Sequence, residues 1–307
     1  IDAAGFAGGD MPLAEDKAET VLSETLGRSL DMTPPLAAFA VSEVVEETMA
    51  SAARVHAVEL GKDTTGRTLV AFGGAAPLHA AQLAEKLGMD EVVIPADAGV
   101  GSAVGFLKAP IAYEVVRSQF GLLGSFNAEA TLRLLAGMRT TAEAVVRLGA
   151  PDAPLHESSS AQMRYHGQGH EISVAVPDPL SADALREAFE EAYRRHYGRC
   201  IPGVDIEVLT WTLELATEVA APKPVADWPA TEATSDEPTR PLFDRASAAF
   251  VEAAFHRRAA LAAGAHLAGP ALIAEAQTTT VVPAGFTASI DGEGAIVMRR
   301  QGQGDQA

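Results

Sequence analysis

Cysteine is almost absent: Cys200 stands alone in 307 residues, so no disulfide can form within the chain. Aromatic residues are also scarce, at 6% with two tryptophans, although 48% of the residues are hydrophobic. The cores must therefore rely on Ala, Val and Leu, as suits layered α/β packing. Basic residues are few, 23 Lys and Arg against 41 Asp and Glu, for a net charge of −18. That balance argues against nucleic acid or an anionic membrane as a main partner, since both need a basic face. It leaves room for a nucleotide held by local N–H groups and a metal. No apolar run is long enough to span a membrane, and no signal-peptide pattern opens the chain, so it reads as soluble and cytoplasmic. The G-x-G-x-x-G spacing of dinucleotide folds and the G-x-x-x-x-G-K-[ST] of a P-loop are both missing, and no internal repeat is present.

The most informative stretch that is present runs Leu69-Val70-Ala71-Phe72-Gly73-Gly74-Ala75-Ala76-Pro77-Leu78-His79-Ala80. It predicts a strand buried on both faces, a diglycine turn and a helix opened by proline. Gly73 and Gly74 allow a sharp turn and put no Cβ between the backbone and a ligand. Pro77 suits the first helical turn, where its missing N–H is no loss. The free N–H groups and positive dipole end of that helix then face whatever lies over the turn. The turn suits a nucleotide and equally suits an ordinary strand-to-helix connection. The helix should end at Gly88, and Glu91-Val92-Val93-Ile94 should form a second buried strand.

Before this stretch, helices are predicted over about 14–29 and 34–60, the second with Thr33 as cap and Pro34 at its first position. The apolar set of the second helix, Leu36, Ala40, Val44, Val45, Met49, Ala52 and Val55, reads as its packed face. Glu43, Glu46, Glu47 and Arg54 opposite read as a solvated face. Beyond Gln119 the pattern changes to α+β. Helices are expected over 128–148, capped by Asn127, and 182–196, capped by Ser181. Strands are expected over 161–165, 170–176 and 207–215, then 248–251, 271–275, 278–282, 286–290 and 295–298. Proline-rich residues 221–241 read as a linker, and the polar tail after Arg300 as disordered.

Several further blocks accompany the diglycine stretch. They are Gly5-Phe6-Ala7-Gly8-Gly9, Gly99-Val100-Gly101-Ser102-Ala103-Val104-Gly105-Phe106-Leu107 and Tyr113-Glu114-Val115-Val116-Arg117-Ser118. Next come Arg164-Tyr165-His166-Gly167-Gln168 with Glu171-Ile172, His196-Tyr197-Gly198 and Asp205-Ile206-Glu207-Val208. Phe243-Asp244-Arg245 and Gly269-Pro270-Ala271-Leu272-Ile273 with Thr278-Thr279-Thr280-Val281-Val282-Pro283 complete the order. In this order the chain resembles the hydantoinase A/5-oxoprolinase family, which includes subunits of acetone and acetophenone carboxylases.

The resemblance implies an α/β fold: the second lobe of an actin/hexokinase/Hsp70-like ATPase over 1–118, then an α+β, strand-rich C-terminal domain over 119–307. It implies that phosphate loops lie in an N-terminal half outside this sequence, which starts at Ile1 and holds no Asp-Gly-Gly-Thr run. ATP is the implied cofactor, with a divalent metal such as Mg²⁺ held mainly by that half. The implied partners are that N-terminal half, a hydantoinase B-type subunit and a cyclic amide or ketone substrate, in an oligomer. Gly73, Gly74, Ala75, Ala76 and His79 are the implied nucleotide-binding residues, with Asp97 and Ser102 near the site. No catalytic residue or metal ligand is assigned. The expected activity is ATP-dependent hydrolysis of a cyclic amide. The alternatives are a ketone carboxylase subunit and a non-catalytic assembly module.

Some residues depart from the family pattern or carry alternative readings. Ala76 stands where the family has a glycine, which strains the chain only if that position needs a positive φ. Ala98 and Gly101 are further variations. Asp97 could hold water around a metal or cap the next helix. His79 could touch a base or phosphate or pack on the sheet. His166 and His170 flank a Gly-Gln-Gly turn but lack a third ligand nearby and differ from the family, so they read as surface or packing residues. Cys200, close to His196, reads as a small packing residue and not a nucleophile.

Overall fold

The computed structural model describes residues 3–219, 229–234 and 237–302. The expected linker falls partly, and the expected tail mostly, outside the described residues. In chain order the helices are α1 (Glu15–Leu22), α2 (Arg28–Leu30), α3 (Pro34–Glu59), α4 (Ala76–Leu87), α5 (Gly101–Lys108), α6 (Ala128–Gly149) and α7 (Ala182–Tyr197). A π-helical stretch, Ser23–Gly27, joins α1 to α2. The strands are β1 (Thr68–Val70), β2 (Glu91–Ile94), β3 (Ala112–Leu122), β4 (Leu155–Tyr165), β5 (Ile172–Ala175), β6 (Ile206–Thr217) and β7 (Thr231–Glu232). They continue as β8 (Arg240–Asp244), β9 (Ala249–Arg257), β10 (Ala265–Ala268), β11 (Ala271–Ala274), β12 (Thr279–Val282), β13 (Phe286–Ile290) and β14 (Ile296–Arg300). The architecture is mixed α/β with strand-rich sheets.

Two compact units form, and they divide the chain differently from a cut at residue 118. One contains residues 1–107 and 223–307, the other 108–222. The reason is a long-range pairing that no local pattern carries. Strand β14 lies antiparallel to β2, with Ile296 opposite Ile94 and Met298 opposite Val92. The C-terminal strands thus extend the sheet that β1 and β2 begin, in the order β1-β2-β14-β13-β10-β7. A second sheet of the same unit runs β12-β11-β9-β8. Helix α4 lies against β2, β12 and α3. Its Ala80, Ala81 and Ala84 are buried with Val92, Ile94, Phe286 and Met298, their short side chains permitting close approach of helix and sheet.

Strand β1 is an edge strand and is not buried on both faces: Val70 and Phe72 are exposed. The acidic face of α3 is not the solvated one the sequence suggests, although Glu47 on it stays exposed. Glu46 is 4% exposed, while Leu36, Val44, Val45 and Val55 are all exposed. Glu43 and Glu46 are drawn in because Lys86 and Arg245 from other elements meet them there.

The other unit is an antiparallel sheet, β3-β6-β4-β5, with α6 and α7 supplying its core. Trp211, Tyr165 and Phe189 are among its largest buried side chains. Both predicted caps form: Asn127 Oδ1 accepts from the Ala130 N–H at 2.9 Å, and Ser181 Oγ from the Ala184 N–H at 3.1 Å.

Candidate functional site

The diglycine turn forms as the chain leaves the edge of the first sheet. Gly73 has φ +108, a left-handed region that strains L side chains, and its N–H donates to the Ala98 carbonyl at 2.6 Å. A Cβ built there meets nothing within 4 Å. Ala75, at φ −105, precedes α4. Ala76 is already helical, so the family's glycine is not needed for a positive φ at this position.

Two other turns lock onto this one. Between β2 and α5, Asp97 adopts φ +57 at the helix-cap position, yet its carboxylate makes no capping bond. Between β11 and β12, the Glu275 N–H donates to the Thr278 carbonyl at 2.9 Å, and Thr278 Oγ1 donates to the Gly74 carbonyl at 2.9 Å. A Cβ on Gly99 would stand 2.4 Å from Gln277 Cβ, so the absent side chain is what seats the third turn. Three segments far apart in sequence thereby form one rigid corner.

That corner borders a cleft of about 1600 Å³, lined by Gly8, Gly74, Asp97, Arg257, Glu275 and Thr278 among others. The Asp97 carbonyl accepts from the Val100 N–H at 2.9 Å, but its carboxylate has no hydrogen-bond or ion-pair partner among the described residues. Glu275 Oε2 is buried without a hydrogen-bond partner. Burial pushes the Glu275 carboxyl above its ordinary value; Arg258 opposes this and the charge of Asp97 adds to it. The cleft therefore offers one carboxylate free to accept and one carboxyl biased toward its proton-holding form. Arg257 is engaged with Glu237 at 2.6 Å, and Arg258 donates to the Leu261 and Gly294 carbonyls.

Of the sequence-selected residues, Gly74 and Asp97 line the cleft. His79 is turned toward α3 instead: its Nδ1 lies 3.1 Å from Glu46 Oε1, which also accepts from Ser42 Oγ at 3.1 Å. Arg245 Nη1 is 3.5 Å from Glu46 Oε2, and Arg245 Nη2 is 2.7 Å from Glu43 Oε1. Lys86 closes the network on Glu43 and Glu47 at 3.2 and 3.3 Å. Burial alone would raise Glu46, but the hydrogen bonds from His79 and Ser42 and the charges of His79 and Arg245 outweigh it and hold its carboxyl low. Ser102 lies exposed in the first turn of α5. Glu275, Gln277 and Thr278 carried no role in the sequence reading. Their signal was the block around Thr278, whose place in the fold only long-range pairing reveals.

In the second unit, Glu207 is buried between Arg164 Nε at 2.6 Å and His166 Nδ1 at 2.5 Å. Arg164 above all, then His166, holds the Glu207 carboxyl below its ordinary value. His166 is thus a surface ring tethered by one carboxylate. Tyr165 OH accepts from the Ile201 N–H at 3.1 Å and Gln168 Nε2 donates to Tyr193 OH at 2.9 Å, so these two shape the turn. Cys200 Sγ donates to the Glu190 carbonyl at 3.3 Å. Among the described residues no group of three His, Cys, Asp or Glu side chains is arranged to hold a metal, and no helix is long and apolar enough to cross a membrane.

Comparison with known proteins matches two stretches of the chain to described families. The Hydantoinase/oxoprolinase family matches residues 1–115, and the Hydantoinase/oxoprolinase C-terminal domain matches residues 142–300. A caprolactamase subunit alpha of Pseudomonas jessenii is 26% identical over 295 residues, covering 92% of this chain and 42% of that relative. A 5-oxoprolinase of Pestalotiopsis fici is 28% identical over 293 residues, covering 92% of this chain and 22% of that relative. The nucleotide-free structure of acetone carboxylase, from work on ATP-dependent acetone carboxylation, superposes with TM-score 0.72 at 23% identity, covering 98% of this chain and 45% of that one. This last likeness is one of fold. The chain spans less than half the length of these relatives.

Proposed function

We propose that this chain, which belongs to the hydantoinase/oxoprolinase family, is the C-terminal part of a subunit that opens a cyclic amide by ATP-dependent hydrolysis. The carrying observation is the glycine turn at the N-terminus of α4, which walls a cleft that also holds the unpaired Asp97 carboxylate and a half-buried Glu275 whose Oε2 has no hydrogen-bond partner. An amide carbon is a poor electrophile because the nitrogen lone pair is delocalised onto it. ATP, when bound, supplies the phosphoryl group that makes the amide oxygen a leaving group.

The residues of this chain have supporting roles in that reading. Gly73 and Gly74 keep the turn bare beside the first N–H groups of α4, where an anion or a nucleotide's polar edge is favoured. Ala75 and Ala76 continue that bare edge. Asp97 is free to accept from a ligand hydroxyl or amino group, and Glu275 to donate to one. His79 supports the turn from behind through Glu46. The glycines leave room for the nucleotide, so this part of the cofactor fits. A Mg²⁺ ion would draw on Asp97 from this chain, and no group of three His, Cys, Asp or Glu side chains stands ready for it among the described residues. We assign its other ligands and the phosphate loops to an N-terminal half carrying the rest of an actin-like ATPase lobe. A hydantoinase B-type subunit completes the oligomer and the site for the amide.

The fold likeness to acetone carboxylase favours a second reading, in which the same scaffold serves a ketone carboxylase. One experiment separates the two. The chain is combined with an N-terminal half and a hydantoinase B-type subunit, and phosphate release is measured with hydantoin, 5-oxoproline, or a ketone plus bicarbonate. Cyclic-amide-stimulated release, matched by ring-opened product and negligible for this chain alone, is the expected result. Release only with ketone and bicarbonate replaces the hydrolase reading with the carboxylase one. Release with none of them leaves an assembly role. Robust metal-dependent turnover by residues 1–307 alone overturns the division of labour.

A further inference from the structure

The second unit contains a cavity for which the reading above has no use. It measures about 590 Å³ and is lined by Gln168, Tyr193, Tyr197, Arg199, Cys200, Ile201 and Pro202. That volume lies within the range of small-molecule sites, roughly 300–1,000 Å³. Its walls follow from how α7 ends. Gly198 takes φ +76 and breaks the helix, turning the chain so that Arg199 and Cys200 face the opening.

One wall is a rigid aromatic ledge. Tyr197 is 53% exposed, yet its ring is backed by Tyr193 at 4.5 Å between centroids, and Tyr193 in turn by the buried Tyr165 at 4.8 Å. Tyr193 OH accepts from Gln168 Nε2, which fixes both groups and leaves the phenol proton free to donate. A large ring held open to water on a braced stack is an apolar surface without a protein partner.

The other wall is a cation without an anion. Acidic residues outnumber basic ones 41 to 23 in this chain, yet Arg199 has neither an ion pair nor a hydrogen bond among the described residues. Of the basic residues in the last turn of α7, Arg195 is already paired with Glu191 at 3.9 Å, whereas Arg199 lines the cavity without such a partner. Cys200 points its thiol at the Glu190 carbonyl. A planar guanidinium beside an open phenol ring matches one ligand chemistry, a flat ring bearing a carboxylate.

We propose that this cavity binds a small planar carboxylate, with its ring stacked on Tyr197 and its carboxylate paired with Arg199. The site stands apart from the amide-opening reading, and its test needs neither ATP nor a partner subunit. Benzoate is titrated into the 307-residue chain by calorimetry, with benzamide and cyclohexanecarboxylate as comparisons. Saturable benzoate binding is expected. Affinity should fall roughly tenfold for benzamide and for Arg199→Ala, because each removes one side of the charge-assisted pair. It should fall roughly fivefold for cyclohexanecarboxylate and for Tyr197→Leu, and be retained by Tyr197→Phe. Arg194→Ala should leave it unchanged, which separates the cavity from general attraction to the basic helix end. Arg199 and Tyr197 are both exposed, so far-UV circular dichroism should match wild type in every variant. Absence of saturable benzoate binding, equal affinity for benzamide, or an unaffected Arg199→Ala variant would each overturn the assignment.

Discussion

Replacing Glu46 with glutamine removes one buried charge and little volume, which makes it the sharpest test of how α3 is held. The carboxylate is 4% exposed and takes hydrogen bonds from His79 and Ser42, with the Arg245 guanidinium 3.5 Å from its other oxygen. Hydrogen bonds to a charged group are worth about 1.5–3 kcal/mol each when well shielded. Here the side chains of His79 and Arg245 are 21% and 33% exposed, so water can take over part of each interaction. Glutamine also keeps an oxygen that can still accept from Ser42. We therefore expect Glu46→Gln to cost about 1.5–2 kcal/mol, and Glu46→Ala about 3 kcal/mol once the lost packing is added. A double-mutant cycle with His79→Ala should return about 1 kcal/mol of coupling.

The pH dependence supplies a second readout. The folded Glu46 carboxyl titrates below its ordinary value. Its stabilisation is therefore complete above the unfolded value and is lost as pH falls through the folded one. The gap between wild type and Glu46→Gln should shrink toward acid pH. Because the chain forms two compact units, the measurement is native-state hydrogen exchange of α3 and α4 amides, which reports this unit by itself. If Glu46→Gln protects these amides as well as wild type at pH 7, or if the gap widens in acid, the charged face of α3 does not hold the helix and the reasoning fails.

Four further outcomes follow from the same structure. Gly99→Ala puts a Cβ against Gln277 and should cost about 1–3 kcal/mol, whereas Gly105→Ala, helical with open space around it, should stabilise by about 0.5–1 kcal/mol; equal unfolding midpoints for the two would contradict the seating of the β11–β12 turn. Glu275 titrates above its ordinary value, so its ionisation opposes folding as pH rises through the folded value; Glu275→Gln should raise the melting temperature at pH 8 and leave it unchanged near pH 4, and a loss at pH 8 would refute this. Glu207 is shifted the other way, so exchange protection in β4 and β6 should fall on acidification below about pH 5 and the slope should flatten in Glu207→Gln; His166→Ala with His170→Ala should leave bound metal within error of wild type, and loss of a stoichiometric ion would show a metal site.

What the sequence made legible was local. The left-handed end of α4 at Gly88, the caps at Asn127 and Ser181, and the β4–β5 hairpin around Gly167 each depend on a few neighbouring residues. What it hid was non-local. Nothing in Ala295-Ile296-Val297-Met298 says that it will lie beside Val92, two hundred residues earlier, so a division near residue 118 was the natural reading of the change in pattern. The candidate cleft was half legible for the same reason. Gly74 and Asp97 announce themselves as turn residues, but Glu275 and Thr278 reach them only through the pairing of β11 with β12 and the seat left by Gly99.

Helix α3 shows why even a strong periodic signal can mislead. Residues three and four apart define two faces, one apolar and one acidic, and hydrophobic burial ordinarily decides between them. On this helix the decision went to charge, because Lys86 from α4 and Arg245 following β8 reach the acidic face and His79 completes it. Each carboxylate drawn under cover is met by a cation from another element, and the small side chain of Ala50, one turn from Glu46, lets those elements close in. Leu36, Val41, Val44, Val45, Val55 and Val58 of the apolar face stay exposed. Periodicity therefore reports that a helix has two distinct faces; which one is covered depends on which partners the rest of the chain brings to it.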